Sequence, residues 1–255
     1  MSQVDTRIVK ASFKGNPPEE RKEFPSASCL LPISVGQAIH EGDKFAATLK
    51  LINSSFKQCT ILVDDSVQRH TMGIINDLEP EALYRRALDE GTHWLSRNDY
   101  AINQLSIPYE IKRWDDWFNS INFFASYERV KAHYETNTDY KKAIDANINE
   151  FLTRYLKNHP DISVNDLRAQ QLCLDYLLEE CAVMCLWPQG KYDFEVYPSG
   201  RNQAMAATFE HLIKPITPHY LRAVALRFKK YPGSLMAHAP EASIQTPAAG
   251  TLLSN

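Results

Sequence analysis

The sequence predicts an α/β fold of three layers, with helices on both faces of a mostly parallel sheet. Three observations carry this prediction. Residues 28–33 (SCLLPI) and 59–63 (CTILV) are apolar runs of strand length, and the stretch between them has helical spacing. Two buried strands joined by a helix make a βαβ unit. Strand-like and helix-like patterns then continue to alternate, as parallel sheets require. Finally, 255 residues that are 44% hydrophobic can build one sizeable core.

The elements follow in order. Residues 1–25 are rich in Lys, Glu, Pro and Ser and read as a polar tail, paired in part with the domain. The strand 28–33 is ended by Ser34 and Gly36. Over 41–53, Phe45, Ala46, Leu49 and Ile52 recur at helical spacing. The β-branched strand 59–63 is stopped by Asp64 and Asp65. A helix over 79–97 lines up Tyr84, Leu88, Gly91 and Leu95 on one face. Residues 106–111 suit a strand weakened by Pro108. Helices are expected over 115–136, 140–158 and 165–186, the last being the most apolar. Residues 192–197 (YDFEVY) alternate and stop at Pro198, as a strand does. Helices over 203–212 and 220–230 close a single domain spanning 26–236, and 237–255 read as a disordered tail.

Lys plus Arg number 28 and Asp plus Glu 31, a net charge of −3. Any nucleic-acid partner therefore needs a local basic patch, and DNA is not expected. Five cysteines without a CxxC pair suggest reduced, buried thiols rather than disulfides or structural zinc. Residues 1–22 lack an apolar leader, and no stretch approaches the ~20 apolar residues of a membrane span. A cytoplasmic protein, monomeric and free of membranes, is expected. The sequence contains no GxGxxG, Walker A, HIGH, KMSKS or HExxH motif, so ATP, dinucleotide and metal chemistry have no positive support. Only the Ser-x-Gly half of a GxSxG elbow is met, and no histidine is tied by spacing to a serine or cysteine.

Three pieces remain. Ser34 ends the first strand, where open α/β sheets bind ligands. Gly36 follows it and lets backbone approach a ligand. Tyr176 and Glu180 are four apart in an apolar helix and share a face, where a carboxylate is costly to desolvate unless paired. Glu179 precedes Glu180, and either could face water. Tyr197 ends the last strand before Pro198. Each has a plain alternative: a turn residue, a surface pair, an ordinary aromatic at a strand end.

Together the pieces resemble the cyclodipeptide synthase family. The segments 33–37 (ISVGQ) and 62–72 (LVDDSVQRHTM), the Tyr176/Glu180 pair and Tyr197-Pro198 carry the resemblance, which spans roughly 27–231. Gln37 and Pro198 stand where one branch of the family has Asn and His, so the chain is similar to the other branch. The resemblance implies a Rossmann-like domain similar to the catalytic domain of class I tyrosyl- and tryptophanyl-tRNA synthetases. It implies that two aminoacyl-tRNAs are joined into a diketopiperazine, with no ATP and no metal. By the same resemblance, Ser34 is the nucleophile, Tyr176 and Glu180 hold the substrate amino group, and Tyr197 relays a proton. Gln37 and Pro198 then lie near the pocket, with Leu30 and Val183 as walls for the first side chain. For tRNA, Arg85, Arg86 and Arg97 on the helix 79–97 are the candidates, with Arg222, Arg227, Lys229 and Lys230 in addition. Two rivals stay open: a serine esterase on an α/β fold, and a non-catalytic tRNA-binding module of synthetase-like shape. The two amino acids joined are not legible.

Overall fold

The structure, a computed structural model, describes residues 8–158 and 166–231. Its centre is a six-stranded sheet of order β1-β6-β5-β2-β3-β4. The strands are β1 (Ile8–Lys14), β2 (Ser28–Ser34), β3 (Gln58–Asp64), β4 (Tyr109–Arg113), β5 (Phe194–Val196) and β6 (Arg222–Tyr231). β2 through β6 pair in parallel, and β1 alone runs antiparallel, against β6.

Two stretches differ in kind from the sequence expectation. Residues 8–14, read as part of the tail, form β1, in which Val9, Ala11 and Phe13 turn inward between exposed neighbours. Residues 220–230, expected as a helix, are β6. Val224, Leu226 and Phe228 alternate on one side of it, and Ala11 and Phe13 on β1 lie opposite Phe228 and Leu226. Period two and period 3.6 both fit such a short run. The ladder to β1 and β5, made by distant parts of the chain, decides between them. The tail expected over 237–255 lies outside the described residues.

The helices are α1 (Pro18–Arg21), α2 (Gly42–Ser55), α3 (Arg69–Met72), α4 (Pro80–Ile102), α5 (Trp114–Phe118), α6 (Phe123–Thr136), α7 (Thr138–Asn158), α8 (Asp166–Met184) and α9 (Gln203–Thr208). The helix expected over 115–136 is thus two, α5 and α6. α2 and α4 cover one sheet face, where Phe45, Leu49, Ile52 and Trp94 pack on Leu31, Ile33, Ile61 and Val63. α5, α8 and α9 cover the other, with Trp114, Val183, Met184 and Met205 on Leu30 and Leu62. α6 and α7 then pack on the outside of α8 through Val130, Ile144 and Ile148. α8 is therefore enclosed on two sides, which explains its high apolar content. Among the described residues no helix is long and apolar enough to cross a membrane.

Candidate active site

Ser34 is the last residue of β2, and Tyr197 directly follows β5. β3 lies on the far side of β2, so the chain crosses over between β3 and β5. At such a switch point the loops diverge and leave a crevice at the carboxyl ends of the strands. Here the crevice is a cavity of about 740 Å³. Ser34, Gln37, Tyr176, Glu180 and Tyr197 all line it, together with Asn147, Glu150 and Arg154 of α7. Ser34 Oγ and Tyr197 Oη are 3.0 Å apart, a hydrogen bond between residues far apart in sequence.

Tyr176 and Glu180 lie one turn apart on α8, and the phenol donates to Glu180 Oε1 at 3.3 Å. Glu180 Oε2 is buried without a partner among the described residues. Burial raises its carboxyl to about 7, with Tyr176 pulling down and Glu195 pushing up. Asp64 stands in register with Ser34 on β3 and is also buried, its Oδ1 unpartnered among the described residues. Burial first, then Glu180, Asp65 and Glu195, hold its pKa well above the usual carboxylate range. Glu195 on β5 is balanced by Arg201, which donates from Nε at 2.8 Å and stacks on Phe209 at 4.0 Å. Burial also raises the Tyr197 phenol, against the pull of Ser34. A site that crowds carboxyls around one serine and two phenols suits a cationic group.

Glu179 does not face water. It is 4% exposed. It accepts from Arg69 Nη1 at 2.9 Å and Trp114 Nε1 at 2.8 Å, and pairs with His70 Nε2 at 3.0 Å. Burial would raise its pKa, but His70 and Arg69 hold it below the ordinary value. The segment 64–70 thereby fixes the rotation of α8 and aims Glu180 into the cavity. Asp65 anchors that segment, accepting from Ser66 N at 2.7 Å and from Arg113 Nε at 2.5 Å.

The remaining expected residues lie elsewhere. Gly36 makes the turn after Ser34 at φ +85°. Leu30 and Val183 sit fully buried in the packed layer beneath the cavity rather than in its lining. Pro198 is buried and its carbonyl accepts the Leu226 N–H at 3.1 Å, tying β5 to β6. Arg85 pairs with Glu81 at 2.9 Å and Arg97 with Glu41 at 2.6 Å, while Arg86 bonds Asn76 at 3.2 Å; none of the three lines the cavity. Sequence reading missed His40, whose Nδ1 accepts the Ser34 N–H at 3.0 Å. It also missed the roles of Glu195 and Arg201, which lie in no motif, and read Asp64 only as a strand stop within the 62–72 segment.

No family model matches the chain, and no curated protein does. Solved structures do. A CDPS from Fluoribacter dumoffii is 66% identical, with a TM-score of 0.86, covering 88% of this chain and 100% of its own. A cyclodipeptide synthase from Candidatus Glomeribacter gigasporarum bound to Phe-tRNAPhe has 18% identity and a TM-score of 0.66, covering 86% and 93%. A Mycobacterium tuberculosis structure, described as demonstrating that cyclodipeptide synthetases are related to type I tRNA synthetases, has 9% identity and a TM-score of 0.58, covering 89% and 95%. The latter two speak for the shared Rossmann-like fold. At two-thirds identity over nearly its whole length, the first match assigns the chain itself: it belongs to the cyclodipeptide synthase family.

Proposed function

We propose that this cyclodipeptide synthase joins two aminoacyl-tRNAs through an ester on Ser34. The observation that carries the reading is the Ser34 Oγ–Tyr197 Oη hydrogen bond, at the wall of a cavity that Tyr176 and Glu180 also line. In the first step Ser34 Oγ attacks the ester carbonyl of one aminoacyl-tRNA. The bond to the ribose oxygen breaks, and the Ser34 proton passes through Tyr197 to that leaving oxygen. The new ester keeps its α-ammonium against Glu180 and Tyr176. Glu180 takes a proton from it, and the free amine attacks the ester carbonyl of the second aminoacyl-tRNA. A peptide bond forms and the second ribose oxygen leaves. The new terminal amine then attacks the ester on Ser34, closing the six-membered ring and restoring the serine hydroxyl. Two esters are broken and two amides made. Each ester arrives activated, so the scheme calls for no ATP and no metal.

The tRNA surface favoured by charge is the β1–β6 ribbon. In its register Lys10 faces Lys229, Ser12 faces Arg227 and Lys14 faces Ala225. Arg227, Lys229, Lys10 and Lys14 share one exposed sheet face and make no ion pair among the described residues. Val9, Ala11 and Phe13 occupy the opposite face, so the basic face is the one that carries Tyr197 and Ser34. Since Val196 pairs with Val224, Arg227 and Lys229 lie beyond the level of Tyr197 along β6. α4, by contrast, sets Glu81, Asp89, Glu90 and Asp99 against Arg85, Arg86 and Arg97.

The test is Ser34→Ala. The variant is expected to bind aminoacyl-tRNA but to carry no labelled aminoacyl ester and release no diketopiperazine, followed by mass spectrometry. Product at the wild-type rate from that variant would refute the covalent scheme. Wild-type product masses identify both amino acids.

A further inference from the structure

The main chain at the proposed nucleophile needs an outside partner. β5 pairs with β2 only at Cys29 and Leu30, so β2 runs on alone on that side toward Ser34. Pro32 has no N–H to satisfy. Ser34 does, and a buried N–H without an acceptor is costly. His40 supplies the acceptor. The chain turns back at Gly36 and through the single helical turn Ala38–His40, which returns the imidazole to the strand end. There Nδ1 takes the Ser34 N–H at 3.0 Å.

Nδ1 also lies 3.3 Å from the Ser34 carbonyl oxygen, so it accepts the Ser34 N–H when unprotonated and donates to the Ser34 carbonyl when it carries the proton; either tautomer holds the same main chain. Burial lowers the His40 pKa to about 4, outweighing the contrary pull of the Ser34 main chain and of Glu41, so the ring stays neutral near pH 7. Nε2 is buried and has no partner among the described residues. Nothing else at the ring therefore calls for a histidine. From the other side, Trp94 Nε1 donates to the His40 carbonyl at 3.0 Å and holds the loop down on α4. The imidazole and the Tyr197 ring meet edge to face, with 5.4 Å between centroids. One side chain thus grips the main chain of Ser34 and the ring of the residue bonded to Ser34 Oγ. Nδ1 is committed to the main chain, so this is not the base of a serine-esterase triad.

We propose that His40 is the positioning residue of the nucleophile: its Nδ1 pins the Ser34 main chain and its ring props Tyr197, which sets Ser34 Oγ against Tyr197 Oη. The proposal rests on Ser34 being the nucleophile. His40 acts through Ser34 and Tyr197 and does not touch the reacting atoms.

The experiment compares wild type with His40→Asn, His40→Phe and Ser34→Ala. The readouts are the single-turnover rate of ester formation from labelled aminoacyl-tRNA, the aminoacyl-tRNA affinity and the thermal midpoint. Phe keeps the ring but loses the acceptor. It is expected to bind with wild-type affinity and to acylate about 10- to 100-fold more slowly, the scale of a small misplacement of a reacting group. The Asn carboxamide oxygen takes the place of Nδ1 and is expected to recover most of that loss. Acylation at the wild-type rate in His40→Phe overturns the proposal, as does an Asn variant of wild-type thermal midpoint that recovers nothing. Equal losses in both variants that track a fallen thermal midpoint make His40 a purely structural cap and also overturn it. The serine variant separates the two readings. If Ser34→Ala still takes up label, the nucleophile is wrong; if it does not and His40→Phe acylates normally, only the positioning role falls.

Discussion

Replacing Glu180 with Gln tests whether the acid in the cavity is the strained group its surroundings imply. The residue is 8% exposed, its Oε2 is unpartnered among the described residues, and its pKa stands at about 7 against an ordinary 4.5. At ~1.4 kcal/mol for each pH unit, that rise is a cost of ~3 kcal/mol to the ionised folded protein. The sign follows from which state holds the proton. The unfolded carboxyl ionises at 4.5 and the folded one near 7, so the cost is absent below the first value, grows between them and is complete above the second. Glutamine is neutral throughout, but leaves an unpaired amide where Oε2 was, which costs about 1 kcal/mol. The variant is therefore expected to match or slightly trail wild type at pH 4 and to exceed it by ~2 kcal/mol at pH 8. That corresponds to ~4–8 °C in thermal midpoint for a domain of this size. Melting curves of both proteins across that range, with diketopiperazine yield at each pH, are the assay. Yield is expected to fall by at least ~100-fold in the variant, because the carboxylate that takes the amine's proton is gone. A stability difference that stays flat with pH would refute the reasoning. So would a variant that is less stable at pH 8.

Three further outcomes are expected. Arg201→Met leaves Glu195, 1% exposed, without its cation; chemical denaturation should show a loss of about 3–5 kcal/mol, and a loss under about 1 kcal/mol would refute the stabilising role given to this pair. Gly91→Ala puts a methyl group onto the Asp65 carboxyl and near Arg113 Nη2, so α4 must shift and unsettle the segment that aims Glu180; a thermal midpoint equal to wild type would show that the neighbouring side chains yield freely. Arg227→Glu with Lys229→Glu should weaken tRNA binding broadly and flatten its salt dependence, by close to one unit of slope for each phosphate no longer neutralised. The same reversal at Arg85 and Arg86 should do less, and the opposite ranking would move the tRNA surface to α4.

Local pattern made much of this molecule legible. β2, β3 and the helices α2, α4, α7 and α8 lie close to where apolar periodicity put them, because burying an apolar face depends on spacing that a single segment carries. Ser34, Tyr176, Glu180 and Tyr197 could be singled out for a related reason: strand ends and helical i,i+4 pairs are short-range features. Chemical role came from the combination of short segments rather than from any one of them. Pairing between distant residues was not legible. β1 and β6 exist as strands only because each has the other to bond, and β6 alone fits a helix as well. His40 and Arg201 have no local mark, and Asp64 is marked only as a strand stop within the 62–72 segment, since each matters through a neighbour brought in by the fold. Whether Glu179 or Glu180 faced the cavity depended on the rotation of α8, which Arg69, His70 and Trp114 set from other elements.

The order of the chain thus determined which elements form and which residues stand at their ends. Tertiary structure decided that β5 lies beside β2 on the side away from β3, and so that Ser34 meets Tyr197 across a crevice. The physical reason is that strand pairing is a bond between remote residues: its energy depends on which strands lie side by side, and no window of sequence contains both partners.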